Sequence, residues 1–190
     1  MILAFCVSAF SCYWIVTRGK PYWLDHPNER SLHAMPVSRL GGVAIWLGVA
    51  CAALLVRHRL DGFVGIYHCV AAALLLLIAL LDEWLPNQRG LHPLLRLIAQ
   101  GVAAALLVWS EHIYVYAEWL VWLWPMLGLV VLMWCINLYN FMDGMDGFAG
   151  AMAVIGFATL AVLGVMQTQT AFAVFCAVIA AASAGFLCFN

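Results

Sequence analysis

Charge is scarce in this 190-residue chain: 9% of residues are Asp, Glu, Lys or Arg, whereas 67% are apolar. An ordinary soluble domain is about half apolar and about a quarter charged. The shortage excludes a soluble globular domain, a disordered chain and a nucleic-acid binder with a basic face. Eight Lys and Arg stand against nine Asp and Glu, so net charge names no partner. Metal-ligand cysteine spacing is missing too. Cys6, Cys12, Cys51, Cys69, Cys135, Cys176 and Cys188 lie in apolar runs, without a C-x-x-C pair or a histidine at ligand spacing. They read as small apolar packing residues, which argues against disulfides or a zinc site. Finally, no basic residue precedes the first apolar run, and Arg18 and Lys20 follow it. A cleaved signal peptide carries its positive charge in front. This run therefore reads as a retained helix with its N-terminus outside. The segment Ala9 to Cys12 is only faintly like a lipoprotein cleavage site, because the basic stretch ahead of it is absent.

What the chain does have is apolar runs long enough to cross a bilayer, where a helix needs about 20 residues. The expected spans are 2–17, 41–56, 64–81, 91–109, 119–136, 148–166 and 171–189. The fold class is all-α: a polytopic membrane helix bundle of about seven helices. No repeat or low-complexity linker interrupts it, so residues 1–190 read as a single integral membrane domain. The odd-numbered loops hold Arg18, Lys20, Arg30, Arg39, Arg89 and Arg96; the even ones hold only Arg57 and Arg59. Basic residues mark the cytoplasmic side, so the odd loops are expected there. Asp25, Glu29, Asp82, Glu83, Asp143 and Asp146 share that side. Orientation needs only basic residues, so these carboxylates need another reason. Small residues recur in Ala180-Ala181-Ala182-Ser183-Ala184-Gly185, which suits close helix contact.

Three segments carry the chemistry. In the first, Asn137 to Gly150, four Asx residues are interleaved with glycines at a membrane boundary. A plain turn needs one Asx-Gly. Carboxylates and amides supply hard oxygen donors, and glycine lets a ligand approach the backbone. EF-hand spacing is absent. The second is Asp82-Glu83, just after the third span. Adjacent carboxylates repel and are costly beside hydrocarbon. Alone they could cap the span in water; with Asp143 and Asp146 on the same side, a Mg²⁺ site explains them better. The third is Asp25 to Gly42. It could be an ordinary basic loop, yet Arg30, His33 and Arg39 suit a diphosphate, and Gly41-Gly42 could bring backbone N–H groups to phosphate. Arg96 and Gln100 are i,i+4 neighbours near the same side, although Arg96 alone could simply snorkel.

Asn137 to Gly150 resembles the N-x-x-N-x-x-D-G-x-D-G-[LF]-A-G segment of the polyprenyl-phosphate N-acetylhexosamine-1-phosphate transferases (glycosyl transferase family four). That family includes the phospho-N-acetylmuramoyl-pentapeptide transferase and undecaprenyl-phosphate GlcNAc-1-phosphate transferase types. Asp25 to Gly42 resembles its first-loop pattern D-x-P-x-x-R-x-x-H-x-x-P-x-x-R-x-G-G. Asn28 to His33 looks most like the branch serving O-antigen and exopolysaccharide synthesis. Asp82-Glu83 stands where the family has Asp-Asp, and Arg96-Leu97-x-x-Gln100 matches the segment after it. Glu83 departs from the pattern by one methylene. The family's later G-D-x-G-S segment and histidine-rich loop have no counterpart, while Phe189-Asn190 looks like the start of the stretch before them. The chain is therefore expected to be the N-terminal part of a longer multi-pass enzyme, inactive alone, with the Ala180 to Gly185 face left open for a missing neighbour.

The resemblance implies transfer of a sugar-1-phosphate from a UDP-N-acetylhexosamine to undecaprenyl phosphate, with release of UMP, at the cytoplasmic face of the bacterial inner membrane. It implies catalytic roles for Asp82, Glu83, Asp143 and Asp146, with Mg²⁺ on Asp82, Asp143 and Asp146. Arg30, His33, Arg39, Asn137, Asn140 and Asn190 are the implied substrate contacts. The sugar, the pathway and the oligomeric state stay open. One rival is an ion or solute transporter, which would place carboxylates near mid-span in broken helices. Another is a non-catalytic, truncated family member.

Overall fold

The structure is a computed structural model that describes residues 1–18, 24–25, 37–38, 40–60, 62–84, 90–110, 123–142 and 147–189. Seven helices appear among them: α1 (Ile2–Arg18), α2 (Gly41–Leu55), α3 (Ile66–Trp84), α4 (Pro93–Ser110), α5 (Leu123–Met142), α6 (Phe148–Met166) and α7 (Thr170–Leu187). One helix falls in each expected span. Of the helices described, α4, α5, α6 and α7 are long and apolar enough to cross a membrane. The apolar stretches of α1, α2 and α3 are shorter; the 15 residues of α2 rise about 22 Å, less than a full hydrocarbon core. The chain is a membrane protein built from helices.

Three details differ from the sequence reading. Residues Asn137 to Met142, expected in a loop, continue α5. Asp82-Glu83-Trp84, also expected in a loop, form the last turn of α3. Polarity marks where a helix meets water, whereas backbone hydrogen bonding carries the helix on past that point. The first polar loop also contains a short antiparallel pair, β1 (Leu24–Asp25) with β2 (Val37–Ser38), in which Leu24 faces Ser38 and Asp25 faces Val37.

The chain divides into two compact units. The first comprises Met1–Phe63 and Met142–Asn190, the second Val64–Phe141. In the first unit, α1, α2 and α7 pack together and α6 packs on α7. Small side chains make this possible. Ala4, Ser8 and Cys12 repeat along one face of α1, and Gly41, Ala44, Gly48 and Ala52 along one face of α2. A Cβ on Gly48 would lie 2.6 Å from the Ala4 carbonyl oxygen, and one on Gly185 would collide with the Phe5 carbonyl. Ala180, Ala182, Ser183 and Gly185 are buried, so this run is not an open face; it packs within the unit. All seven cysteines are free; Cys12 and Cys176 are buried, as packing residues are, whereas Cys6, Cys69, Cys135 and Cys188 are exposed.

Without a hydrophobic driving force in lipid, such close backbone approach carries the helix association. Gly48→Val should therefore lower stability by about 2–3 kcal/mol, read as a lower unfolding temperature in detergent. The control is Gly42→Ala, where the added methyl meets nothing within 4 Å. It should be neutral or slightly stabilising in a helix. An unchanged unfolding temperature for Gly48→Val would mean that this contact does not hold the unit together.

Candidate functional site

In the second unit, Asp82, Arg96, Gln100 and Asn137 lie toward one end of their helices. Asp82 lies in the last turn of α3. A negative charge there opposes the helix dipole, whose C-terminal end is already negative. No basic residue in that turn compensates. The compensation comes across the turn, from α4. Arg96 forms an ion pair with Asp82 Oδ2, and the Leu91 N–H donates to Asp82 Oδ1. Arg96 in turn sits near the start of α4, where a positive charge opposes that helix's dipole. Each residue is poorly placed for its own helix and well placed for the other.

Beside the pair, a glycine lets the backbone pass close by. Gly90 has φ +58°, in the left-handed region that favours glycine. A Cβ there would lie 2.7 Å from Asp82 Oδ1 and 2.8 Å from Arg96 Nη2. Pro93 then opens α4, at a position where its missing N–H costs nothing. The ion pair is only partly screened: the Asp82 side chain is 21% exposed and that of Arg96 39%. Arg96 Nε is buried and donates to no described group.

One turn further along α4, Gln100 Oε1 accepts a hydrogen bond from Asn137 Nδ2 of α5 at 2.8 Å. The same amide also donates to the Met133 carbonyl at 2.8 Å. The result is a polar file from Asp82 through Arg96 and Gln100 to Asn137 across three helices. Asn140 is exposed in the last turn of α5.

Of the residues singled out in the sequence, the structure thus brings Asp82, Arg96, Gln100 and Asn137 to one end of one unit. Asp143, Asp146, Arg30, His33, Arg39 and Asn190 lie outside the described residues, as does the side chain of Glu83. Two glycines of the Asn137–Gly150 segment do have physical reasons. Gly147, φ +69°, precedes α6 in a left-handed conformation. Gly150 lets α6 approach α7, since a Cβ would come within 3.2 Å of Leu187 Cδ1. At Gly41 the missing side chain admits the Phe186 ring, which an added Cβ would strike, whereas at Gly42 a Cβ would meet nothing within 4 Å.

Sequence reasoning gave Arg96 a minor part and missed Gly90 and Leu91. A lone glycine just ahead of a proline-initiated helix was the available signal. A carboxylate has about four lone-pair positions, and Leu91 N–H and Arg96 take two of them. Asp82 therefore fits one oxygen position on Mg²⁺, which takes one or two carboxylates along with phosphate and water. Among the described residues, no three of His, Cys, Asp or Glu form a ligand cluster.

The profile for glycosyl transferase family 4 matches residues 65–190. A decaprenyl-phosphate N-acetylglucosaminephosphotransferase of Mycolicibacterium smegmatis is 37% identical over 91 residues, covering 44% of this chain and 21% of that protein. The chain thus spans about a fifth of that relative's length. No solved structure matches the chain.

Proposed function

The chain belongs to glycosyl transferase family 4, and from that premise we propose that it transfers N-acetylhexosamine-1-phosphate from a UDP-sugar to undecaprenyl phosphate. The family itself implies a polyprenyl-phosphate acceptor and a nucleotide-sugar donor. The observation that carries the reading is the oriented Asp82 carboxylate, held by Leu91 N–H and Arg96 inside the matched segment. An oxygen of the lipid phosphate attacks the phosphorus that bears the sugar, and the diphosphate bond to UMP breaks. Such transfer depends on positioning and on charge neutralisation.

Asp82 orients the lipid phosphate or takes its proton, with Glu83 in support. Asn140, Asp143 and Asp146 organise the donor, and Arg30, His33 and Arg39 meet its diphosphate; Asn190 is a further contact. Asp82, Asp143 and Asp146 would hold Mg²⁺, which when bound neutralises phosphate oxygens. The donor is cytosolic and the acceptor lies in the membrane, so the site belongs at the cytoplasmic face of the bacterial inner membrane. The transporter alternative is disfavoured because Asp82 lies at a helix end rather than at mid-helix.

One experiment tests both reaction and orientation. Sealed inverted and right-side-out membrane vesicles carrying the full-length protein receive labelled UDP-N-acetylglucosamine outside. Mg²⁺-dependent label should enter the lipid fraction in inverted vesicles only. Label in right-side-out vesicles alone would reverse the orientation. No transfer to lipid from any UDP-N-acetylhexosamine would reject the reaction.

A further inference from the structure

We infer that Gly90 is a positioning residue for Asp82: the missing Cβ at this one position lets the Gly90–Leu91 backbone close over the carboxylate and fix its direction. The inference rests on the role proposed for Asp82, but its geometry stands apart from it. Three contacts converge on the Asp82 carboxylate. Leu91 N–H holds Oδ1, Arg96 holds Oδ2, and the Gly90 backbone passes so near that an added Cβ would lie 2.7 Å from Oδ1 and 3.5 Å from Cγ. The same Cβ would lie 2.8 Å from Arg96 Nη2. One methyl group would therefore press on both members of the ion pair at once. Both are side-chain ends that can shift, and because Leu91 N–H and Arg96 fix the carboxylate, a shift of Asp82 changes the direction that those two contacts set.

A second requirement acts at the same residue and can be separated from the first. At φ +58° most side chains are strained, whereas asparagine tolerates this region. Gly90→Asn thus keeps the turn while adding the Cβ. Gly90→Ala adds both the Cβ and the strain. If the turn alone mattered, Asn would serve.

A carboxylate misdirected by a fraction of an ångström loses far more in rate than in fold stability. In the full-length protein, Gly90→Asn should lower kcat by about tenfold or more, with KM for UDP-N-acetylglucosamine within about twofold of wild type. A merely structural role would lower the amount of folded protein and leave kcat per folded molecule unchanged. The contact itself is read without activity, by a double-mutant cycle on unfolding temperature in detergent. Gly90→Asn should cost about 2–4 °C in the wild-type background and less than half of that beside Asp82→Ala, where the carboxylate is gone and Arg96, no longer paired with it, can move aside. If the single variant fails to insert while the double variant inserts, the inference stands. Additive temperature shifts, an unchanged kcat, or failure of both variants to insert would overturn it. Absence of transfer by the wild type would reject the proposed reaction while leaving the cycle to decide the contact.

Discussion

Asp82→Asn should reduce transfer by about a thousandfold or more while the protein still reaches the membrane in normal amount. The change is nearly isosteric. The amide oxygen of Asn can still accept from the Leu91 N–H, so the turn between α3 and α4 keeps its backbone anchor. What disappears is the charge that faces Arg96 and, in the proposed reaction, the oxygen that orients or deprotonates the lipid phosphate. An interaction that operates on the reacting group should show in kcat, with KM for the nucleotide sugar changed little. Asp82→Glu is the instructive companion. It keeps the charge but carries the carboxylate one methylene further, past the Leu91 N–H, and should recover only part of the rate. The checks are initial rates of labelled sugar phosphate entering lipid, normalised to folded protein in the membrane. Turnover near wild type in Asp82→Asn would remove Asp82 from the chemistry.

Much of this protein can be read from its sequence because the strongest signal is also the simplest. Long apolar runs interrupted by proline, glycine and charge lead to helices, and each of α1 to α7 falls in an expected span. Small residues between Ala180 and Gly185 announce tight packing, although their neighbours, α1 and α2, are not evident from spacing. Helix ends are harder. Asn137, Tyr139 and Asn140 look like loop residues by polarity, yet they continue α5, where Asn137 bonds to both α4 and its own helix. The ion pair of Asp82 and Arg96 is harder still. Its members look misplaced within their own helices, and they meet beside Gly90 and Leu91. Gly90 there has a positive φ, which no hydrophobic pattern encodes. The role proposed for Asp143 and Asp146 rests on the density of polar residues around them in the sequence, and both lie outside the described residues.

Arg96 should separate function from stability. Removing its charge, as in Arg96→Gln, leaves a half-buried Asp82 at the negative end of α3 with the Leu91 N–H as its one remaining partner among the described residues. A charge-assisted hydrogen bond contributes about 1.5–3 kcal/mol, so the variant should lose about ten- to hundredfold in rate and also unfold at a lower temperature. Arg96→Lys should behave differently. Lysine restores a positive charge facing Asp82 but presents it as a point on a flexible stem, without the planar fork that fixes a carboxylate. It also removes the buried Nε, a donor that no described group satisfies. The stability of Arg96→Lys should therefore stay within about 2 °C of wild type, since the orphaned donor is gone as the fork is lost. Its rate should still fall about tenfold, because the direction of the Asp82 carboxylate is no longer set. Thermal unfolding and steady-state rates on the same detergent preparations make the comparison. Full activity in Arg96→Lys would mean that Asp82 needs only a nearby positive charge. A joint collapse of rate and stability in that variant would instead assign Arg96 to holding α3 against α4.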